Sequence, residues 1–352
     1  MAATTALVNA DKLETFCAGV LRNAGMPEKD AAFSAYCLVQ TSLWGIDSHG
    51  VMRLLMYTER LRNGAVNPAP EIRTVREFGA VARLDGDDGL GYVVGRAAME
   101  KAVLLAGRHG VGSVTAKRSN HFGAAALYVR EAAKAGMVGI AMSNTPVNMA
   151  VPGSRGPVLG NHPWAFAIPS FDGPPFVLDL CLSQVAGGKL LVARDKGEKI
   201  PFGWAVDKDG NPTDDPAAGI EGAFLPMSGH KGYGLALVVE LLTGALGGGA
   251  FMGDIGHLYK EPEKPSGICH HMLAINPLAA MDRDEWTAAV AEIRRRIKTA
   301  SMVNPDDALA FPGELEDACD AERRAKGVPM EITLLEKFNA LGKEYSLRLE
   351  PM

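Results

Sequence analysis

The sequence predicts an α/β protein in which a layered sheet core lies beside a smaller helical part. Apolar residues recur at helical spacing through the first 70 residues, whereas strand and helix patterns alternate from residue 80 onward. Alternating strands and helices build a sheet that is covered by helices. A chain of 352 residues is long enough for a main domain and a smaller one.

Three helices are predicted before residue 70. The first has its apolar residues at helical spacing from Leu13 to Leu21 and ends before Pro27. The second follows that proline and stops near Gly45, and the third is closed by Gly64. Two prolines in the segment Asn67–Pro70 disfavour helix, so this segment is predicted to link the helices to the core.

The core is predicted from alternating patterns and from a hairpin tip at Asp207-Lys-Asp-Gly-Asn-Pro212. The predicted strands cover 80–84, 112–116, 137–142, 176–180 and 273–275, and the predicted helices cover 91–109, 123–135, 186–194 and 231–245. Amphipathic helices return at 284–299 and 334–341, and we expect them to pack with the N-terminal helices. The expected division is a helical part at 1–72, a core at 73–280 and C-terminal helices at 281–352.

Composition excludes several classes of protein. The formal net charge of -5, without a Lys/Arg-rich run, argues against nucleic-acid and anionic-membrane partners. No apolar segment approaches the ~18 residues of a membrane span, and the N-terminus lacks signal-peptide features, so we expect a cytoplasmic protein. The five cysteines are scattered and form no C-x-x-C, which predicts reduced thiols and no zinc site.

Two glycine motifs resemble nucleotide-binding signatures but depart from them. Gly89, Gly91 and Gly95 are spaced G-x-G-x-x-x-G, and no acidic residue ends a second strand about 20 residues later, so a tight turn is favoured over a dinucleotide fingerprint. The run Gly229-His-Lys-Gly lacks the Ser or Thr that ends a P-loop, so nucleotide hydrolysis is not predicted.

The strongest candidate for chemistry is Asp47-Ser-His-Gly50 together with Arg53. Arg53 lies four residues after His49, which places both on one face if the segment is helical. An arginine can hold a carboxylate through two hydrogen bonds, and a histidine can pass a proton to a reacting oxygen. The alternative is that Ser48 caps a helix and that His49 is polar surface.

Two further polar residues stand at strand ends. His121, in Ser119-Asn-His-Phe-Gly123, comes after a strand and before a helix, where ligands and anions bind; a capping Ser/Asn pair with a structural histidine is the alternative. Asp179 ends an apolar strand, and a lone carboxylate there is costly unless it is paired or functional. It either orients a histidine, binds a ribose hydroxyl or caps the next helix.

The remaining motifs suggest a phosphate site and no metal. Gly229-His-Lys-Gly-Tyr-Gly234 opens the longest apolar helix, where Lys231 adds positive charge to a helix N-terminus. His270 and His271 are adjacent in a predicted strand, so their side chains point to opposite faces and do not share one metal. No metal-ligand spacing is found elsewhere.

Taken in order, the motifs resemble the type 2 malate/L-lactate dehydrogenase family, which includes ureidoglycolate, sulfolactate and diketogulonate enzymes and reductases of cyclic imino acids. The resemblance covers nearly the whole chain. The motifs are Asp47-Ser-His-Gly-Val-Met-Arg53, Asp85-Gly-Asp-Asp-Gly-Leu-Gly91, Ser119-Asn-His-Phe-Gly-Ala124, Ser143-Asn-Thr-Pro146, Gly160-Asn-His-Pro-Trp-Ala-Phe-Ala167, Phe176-Val-Leu-Asp-Leu180, Trp204-Ala-Val-Asp-Lys-Asp-Gly210 with Pro212-Thr-Asp-Asp-Pro216, Gly229-His-Lys-Gly-Tyr-Gly234 and Phe311-Pro-Gly-Glu314.

The resemblance implies a three-layer α/β/α core with a mixed sheet that is not a Rossmann fold, a smaller helical domain from both termini, a homodimer, and NAD or NADP as cofactor. It implies that His49, in the Ser48-His49 motif, donates the proton and that Arg53 binds the substrate carboxylate. It also assigns catalytic roles to His121 and Asp179. The implied cofactor contacts are Thr145, Asp179, Leu180, Cys181, His230, Lys231, Gly313 and Glu314.

The implied reaction is interconversion of a small 2-oxo acid and its 2-hydroxy acid, with reduction of a cyclic imino acid such as piperideine-2-carboxylate by NADPH as the alternative. Many relatives have Asn-Pro-Leu or Asn-Pro-Ile where this chain has Asn161-His-Pro-Trp164, so the substrate stays open, as does NADH against NADPH. Two rivals from other classes, a hydrolase built on Ser48 and His49 and a silent nucleotide-binding scaffold, leave the ordered motifs unexplained.

Overall fold

The computed structural model describes residues 5–304 and 308–352. Its helices are α1 (Ala10–Asn23), α2 (Glu28–Leu43), α3 (Leu54–Arg62), α4 (Gly91–His109), α5 (Ala126–Lys134), α6 (Gly187–Lys196), α7 (Pro216–Glu221), α8 (His230–Glu240), α9 (Arg283–Lys298), α10 (Glu314–Lys326) and α11 (Ile332–Lys343). Its strands are β1 (Thr5–Val8), β2 (Arg73–Phe78), β3 (Val81–Asp85), β4 (Val111–Ser119), β5 (Val138–Ser143), β6 (Met149–Ala150), β7 (Pro157–Leu159), β8 (Pro163–Ile168), β9 (Phe176–Cys181), β10 (Ala205–Val206), β11 (Pro212–Thr213), β12 (Ala223–Phe224), β13 (Ile268–Ile275) and β14 (Val328–Glu331).

The centre of the molecule is a seven-stranded mixed sheet with the order β2-β3-β4-β13-β5-β8-β9. β3 and β4 are parallel, and every other neighbouring pair is antiparallel. It follows that β3, β4, β5 and β9 all run in one direction. Their carboxyl ends therefore lie at the same edge of the sheet, where the chain continues into the predicted site motifs.

Helices cover both faces of this sheet. On one face, Ala141 and Met272 belong to the large core in which α4 and α5 pack. On the other face, their neighbours Ile140 and Leu273 pack against Ala236 and Val239 of α8. Because successive strand residues point to opposite faces, this alternation shows the predicted three-layer α/β/α core, and the mixed strand order shows that it is not a Rossmann sheet.

The two ends of the chain meet beside the core. β1 pairs antiparallel with β14, from Thr5 opposite Glu331 to Val8 opposite Val328. Phe16 of α1 stacks on Phe338 of α11, with ring centroids 5.7 Å apart. We expected α9 to pack with the N-terminal helices as α11 does. The contact it makes is with the hairpin between β8 and β9, where the Trp286 indole donates to the carbonyl of Pro169. The domain boundaries at residues 72 and 280 stay a prediction.

Several elements match the sequence patterns and others do not. The helix predicted at 91–109 has those bounds, and the hairpin tip at Asp207 joins the antiparallel strands β10 and β11. The helix predicted from residue 123 begins at Ala126, because the turn-like segment 121–125 is not helical and Gly123 has a positive φ of 73°. The sequence does not predict β2. All its residues are exposed, and a strand that buries neither face has no need of the apolar alternation from which strands are predicted. No helix among the described residues is long and apolar enough to span a bilayer.

Candidate active site

The segment 47–53, which carries His49 and Arg53, forms two 3₁₀ turns, Asp47–His49 and Val51–Arg53, joined by Gly50. A Cβ atom at Gly50 would lie 2.1 Å from the Ser42 hydroxyl oxygen. That same oxygen accepts a hydrogen bond from the Val51 amide at 3.0 Å. Because only glycine lets α2 approach this closely, Gly50 sets the position of His49. The segment is not one α-helix, yet the Arg53 side chain still reaches back to the Ser48 carbonyl in the first turn.

The polar contacts of His49 are local. The Ser48 hydroxyl lies 2.9 Å from Nδ1 of His49, and Nε of Arg53 donates to the Ser48 carbonyl at 2.7 Å. Burial, and then the Arg53 charge, lower the pKa of His49 to about 4. Ser48 therefore binds the histidine instead of capping a helix, and His49 is half-buried and neutral near pH 7.

His121 lies against His49. Their ring centroids are 5.6 Å apart and their planes are inclined by 24°. The Tyr57 hydroxyl is 2.6 Å from Nδ1 of His121. Burial, and then the charge of Arg53, hold the pKa of His121 well below its ordinary value. The structure thus brings together the two histidines and the arginine that the sequence singled out.

The glycine motif before α4 supports the turn that carries His121. The Asn120 side chain donates to the carbonyls of Asp88 at 2.8 Å and Gly89 at 3.0 Å. A Cβ atom at Gly91 would lie 2.3 Å from the Asn120 carbonyl oxygen. The motif is therefore a tight turn, as predicted. Because Gly91 has no side chain, α4 can begin directly against the turn that carries His121.

Asp179 lies at the start of α5. Its Oδ2 accepts from the amide of Ala126 at 2.8 Å, so it caps a helix earlier in the chain and not the next one. Burial raises the pKa of this carboxyl to about 6, although the amides of Ala126 and Ala125 act in the opposite direction. Because α5 begins five residues after His121, Asp179 anchors the end of the His121 turn.

Most of the expected cofactor residues share the sheet edge. Thr145 follows the end of β5, and Asp179, Leu180 and Cys181 end β9. Beyond β9, the amide of Met227 donates to the carbonyl of Leu182, which brings the start of α8 to this edge. His230 and Lys231, the first residues of α8, are exposed there. No group of three or more potential metal ligands occurs among the described residues.

Gly313 and Glu314 belong to a turn that lies beside another part of β9. The carbonyl of Pro312 accepts from the amide of Val177, on the free side of this edge strand. The Glu314 carboxylate accepts from the Phe311 amide at 2.8 Å and pairs with Lys298. This turn therefore contacts β9 two residues before Asp179, farther from the carboxyl end of the strand.

The sequence patterns did not single out Tyr57, Arg60 or Tyr259. Arg60 is 1% exposed, and its guanidinium donates to the carbonyls of Leu258, Glu261 and Lys264 and to the side chains of Asn120 and Ser266. The loop that it holds carries Tyr259, whose ring centroid is 5.7 Å from the Arg53 guanidinium. Tyr57 had one available signal, since it lies four residues after Arg53.

The whole chain can be compared with known proteins. A family model described as malate/L-lactate dehydrogenase matches residues 8–339. The chain belongs to the malate/L-lactate dehydrogenase family. The resemblance seen in the ordered motifs is thereby confirmed, and with it the class: the relatives are dehydrogenases of hydroxy acids, and this family member is an oxidoreductase.

Close relatives cover almost the full length. L-sulfolactate dehydrogenase of Methanocaldococcus jannaschii is 39% identical over 336 residues, 94% of this chain and 95% of the relative. Malate dehydrogenase of Pyrococcus horikoshii is 37% identical over 344 residues, 96% of this chain and 94% of the relative. The solved structure of M. jannaschii sulfolactate dehydrogenase superposes with a TM-score of 0.91 at 37% identity and covers 97% of this chain and 98% of its own.

Three further relatives carry names that differ in coenzyme or substrate. A (2R)-3-sulfolactate dehydrogenase (NADP(+)) of Chromohalobacter salexigens is 37% identical over 77% of this chain and 81% of its own length. A ureidoglycolate dehydrogenase (NAD(+)) of Escherichia coli K12 is 30% identical over 91% of each. The structure of Δ1-piperideine-2-carboxylate reductase from Pseudomonas syringae has a TM-score of 0.84 at 28% identity, covering 95% of this chain and 99% of its own.

Proposed function

We propose that this enzyme uses NADH or NADPH to interconvert a small 2-oxo acid and its 2-hydroxy acid, with His49 as proton donor and acceptor. The observation that carries the proposal is the cluster of His49, His121 and Arg53. A carboxylate held by Arg53 lies beside an imidazole that can exchange a proton with the neighbouring oxygen. Family membership supports the same class of substrate.

The contacts divide the work among the residues. When bound, the reduced nicotinamide supplies the hydride. Arg53 uses Nε to hold the Ser48 carbonyl, which leaves its terminal nitrogens for a carboxylate. A bound carboxylate offsets the Arg53 charge, and this raises the pKa of His49 from about 4 and favours the protonated donor. Tyr57 orients His121, which packs against His49.

The start of α8 fits the phosphates of a dinucleotide. Gly229 has a φ of 63°, and no heavy atom lies within 4 Å of the place where its Cβ would be. Lys231 is exposed at the first turn of this 11-residue helix, where the helix dipole favours anions. We propose that Lys231, His230, Thr145 and residues 179–181 contact the nucleotide at the sheet edge, with Gly313 and Glu314 contacting it along β9.

Reduction of a cyclic imino acid by NADPH is the second candidate. It is supported by the structural match to Δ1-piperideine-2-carboxylate reductase at 28% identity. The same residues would serve, because an imine also needs a carboxylate anchor and a proton donor at the reacting group. The relatives at 37% and 39% identity are named for hydroxy acids, which favours the first candidate.

A substrate panel tests both candidates. Purified protein is mixed with NADH or NADPH and with pyruvate, oxaloacetate, sulfopyruvate, diketogulonate or piperideine-2-carboxylate, and loss of reduced-nicotinamide absorbance is followed. Rapid turnover of one oxo acid supports the first candidate, whereas turnover of the cyclic imine alone supports the second. Absence of both turnover and saturable quenching of nucleotide fluorescence contradicts the proposal.

We also propose that the enzyme is a homodimer. The proposal comes from the family, and exposed apolar side chains on α8 and just after it, including Val238 and Leu241 at 46% and 53% exposure, support it. Sedimentation equilibrium of the purified protein should give twice the chain mass of 37.3 kDa. A mass equal to one chain at micromolar concentration contradicts it.

A further inference from the structure

His162 and Glu240 form a buried polar pair beneath the sheet edge. Nε2 of His162 lies 2.8 Å from Oε2 of Glu240, and the side chains are 0% and 5% exposed. Neither atom has another hydrogen-bond partner among the described residues. The pair joins the start of β8 to the end of α8, which are 78 positions apart. A carboxylate this deep is stable only when it is paired.

The other nitrogen of His162 contacts a different part of the site. The amide of Thr145 donates to Nδ1 at 3.2 Å, and the Thr145 hydroxyl is 3.3 Å from the same atom. An acceptor role for Nδ1 places the ring proton on Nε2, which faces Glu240. His162 therefore connects Glu240 directly to the backbone of Thr145.

Glu240 fixes the residue before Thr145. Its Oε1 accepts from the side chain of Asn144 at 3.2 Å and from the amide of Met252 at 3.1 Å. Burial raises the pKa of Glu240, but His162 and these donors outweigh burial and hold it below its ordinary value. The carboxylate is therefore charged at neutral pH and gathers donors from the β5 end, from β8 and from the segment after α8.

The turn at Thr145 has little freedom to move. A Cβ atom at Gly160 would lie 2.2 Å from the Thr145 hydroxyl oxygen and 2.6 Å from Cε1 of His162. Asn161 lies 3.4 Å from the Thr145 hydroxyl through its side-chain oxygen. The turn is thus held on one side by the β7–β8 connection and on the other by the His162–Glu240 pair.

We infer that His162 is a positioning residue for nucleotide binding, which it serves by holding the Thr145 amide and Glu240 at the same time. The inference rests on the proposed function, in which Thr145 contacts the nucleotide. His162 was one of the departures from the common family pattern that left the substrate open. Since it is fully buried, it does not reach a bound substrate, and its influence passes through Thr145.

Two variants separate the two contacts of His162. In His162→Asn, the side-chain oxygen takes the place of Nδ1 and still accepts from Thr145, but nothing reaches Glu240. In His162→Gln, the amide nitrogen takes the place of Nε2 and still donates to Glu240, but the acceptor for Thr145 is lost. Nucleotide affinity is measured by quenching of NADH or NADPH fluorescence, and folding by the thermal midpoint of circular dichroism.

His162→Gln should bind nucleotide three- to tenfold more weakly, the equivalent of one hydrogen bond, with a thermal midpoint close to wild type. His162→Asn should keep near wild-type affinity and lose several degrees of Tm. Equal affinity in both variants, or a greater loss in His162→Asn, overturns the inference alone. Failure of the wild-type protein to bind either nucleotide overturns the proposed function, and this inference with it.

Discussion

The imidazole of His49 lies 5.6 Å from that of His121, centroid to centroid, in a stacked arrangement. Burial lowers the pKa of both rings, and the charged groups that act on them are all basic, with Arg53 first among them. Among the described residues, no acidic group contributes to either shift, so basic groups are in excess at this half-buried site. A carboxylate substrate supplies the opposite charge, which is why the predictions below concern anion binding and proton transfer.

Replacing His49 with alanine should lower turnover by roughly 10²- to 10⁴-fold, the usual contribution of a general acid–base group. Nucleotide affinity should change little, because the expected phosphate and ribose contacts lie at the sheet edge. Steady-state kinetics and fluorescence quenching measure the two quantities. Ser48→Ala, which removes only the hydroxyl near Nδ1, is the matched control and should lose less activity. Wild-type turnover in His49→Ala would rule out the assigned role.

Replacing Arg53 with methionine should raise the pKa of His49 above its value of about 4. Burial remains in the variant, so the pKa should stay below the ~6.5 of an unfolded histidine. NMR titration of ¹³C-labelled histidine, assigned with His49→Ala, measures the change. Oxalate added to wild type should also raise this pKa, because it brings negative charge to Arg53. An unchanged pKa in both experiments contradicts the electrostatic account.

The lowered pKa of His49 also predicts how the stability of the protein changes with pH. His49 binds its proton less readily when folded than when unfolded, since its folded pKa is about 4. Its contribution to stability is complete above pH ~6.5 and is lost as the pH falls through 4. The free energy of unfolding, measured by urea at pH 7 and pH 5, should therefore fall less in His49→Gln than in wild type. An equal or steeper fall in the variant is the contrary result.

Replacing Arg60 with methionine should destabilise the protein by about 2–4 kcal/mol, because several buried acceptors lose their donor together. Loss of this anchor should also free the loop that carries Tyr259, which appears as faster amide exchange at residues 257–266. Arg62→Met is the matched control on the same helix. Arg62 is 39% exposed and pairs with Glu344, so its loss should cost less than about 1 kcal/mol. Equal effects of the two variants would contradict the anchoring role.

Asp179 can be tested as a cap against a chemical role. Asp179→Asn keeps an oxygen acceptor for the Ala126 amide, whereas Asp179→Ala removes it. If Asp179 acts only as a cap, the alanine variant should lose about 1 kcal/mol of stability and the asparagine variant much less. Activity should follow the same order. If Asp179→Asn retains its stability but loses turnover, the carboxylate takes part in the chemistry instead. Urea denaturation and steady-state kinetics on both variants decide between these results.

Local patterns in the sequence were sufficient for several parts of the structure. The bounds of α4 follow from an apolar repeat that ends at Gly110, which adopts the left-handed conformation that glycine favours. The spacing of His49 and Arg53 indicated proximity, although two 3₁₀ turns produce it and not an α-helix. These features depend on neighbours within a few residues, so the sequence shows them directly.

Other features depend on residues far apart in the chain. Asp179 caps α5 from 53 positions away, and His162 meets Glu240 on another layer. In the sequence, Arg60 has the pattern of an ordinary charged helix residue. It is buried only because the loop at 258–266 covers it in the folded protein. Sequence alone was sufficient to predict the family, the alternating layers, and two histidines and an arginine as candidate site residues. Which of these groups touch, and how burial shifts their pKa values, was decided only by tertiary packing, because desolvation and long-range hydrogen bonds arise when distant segments meet.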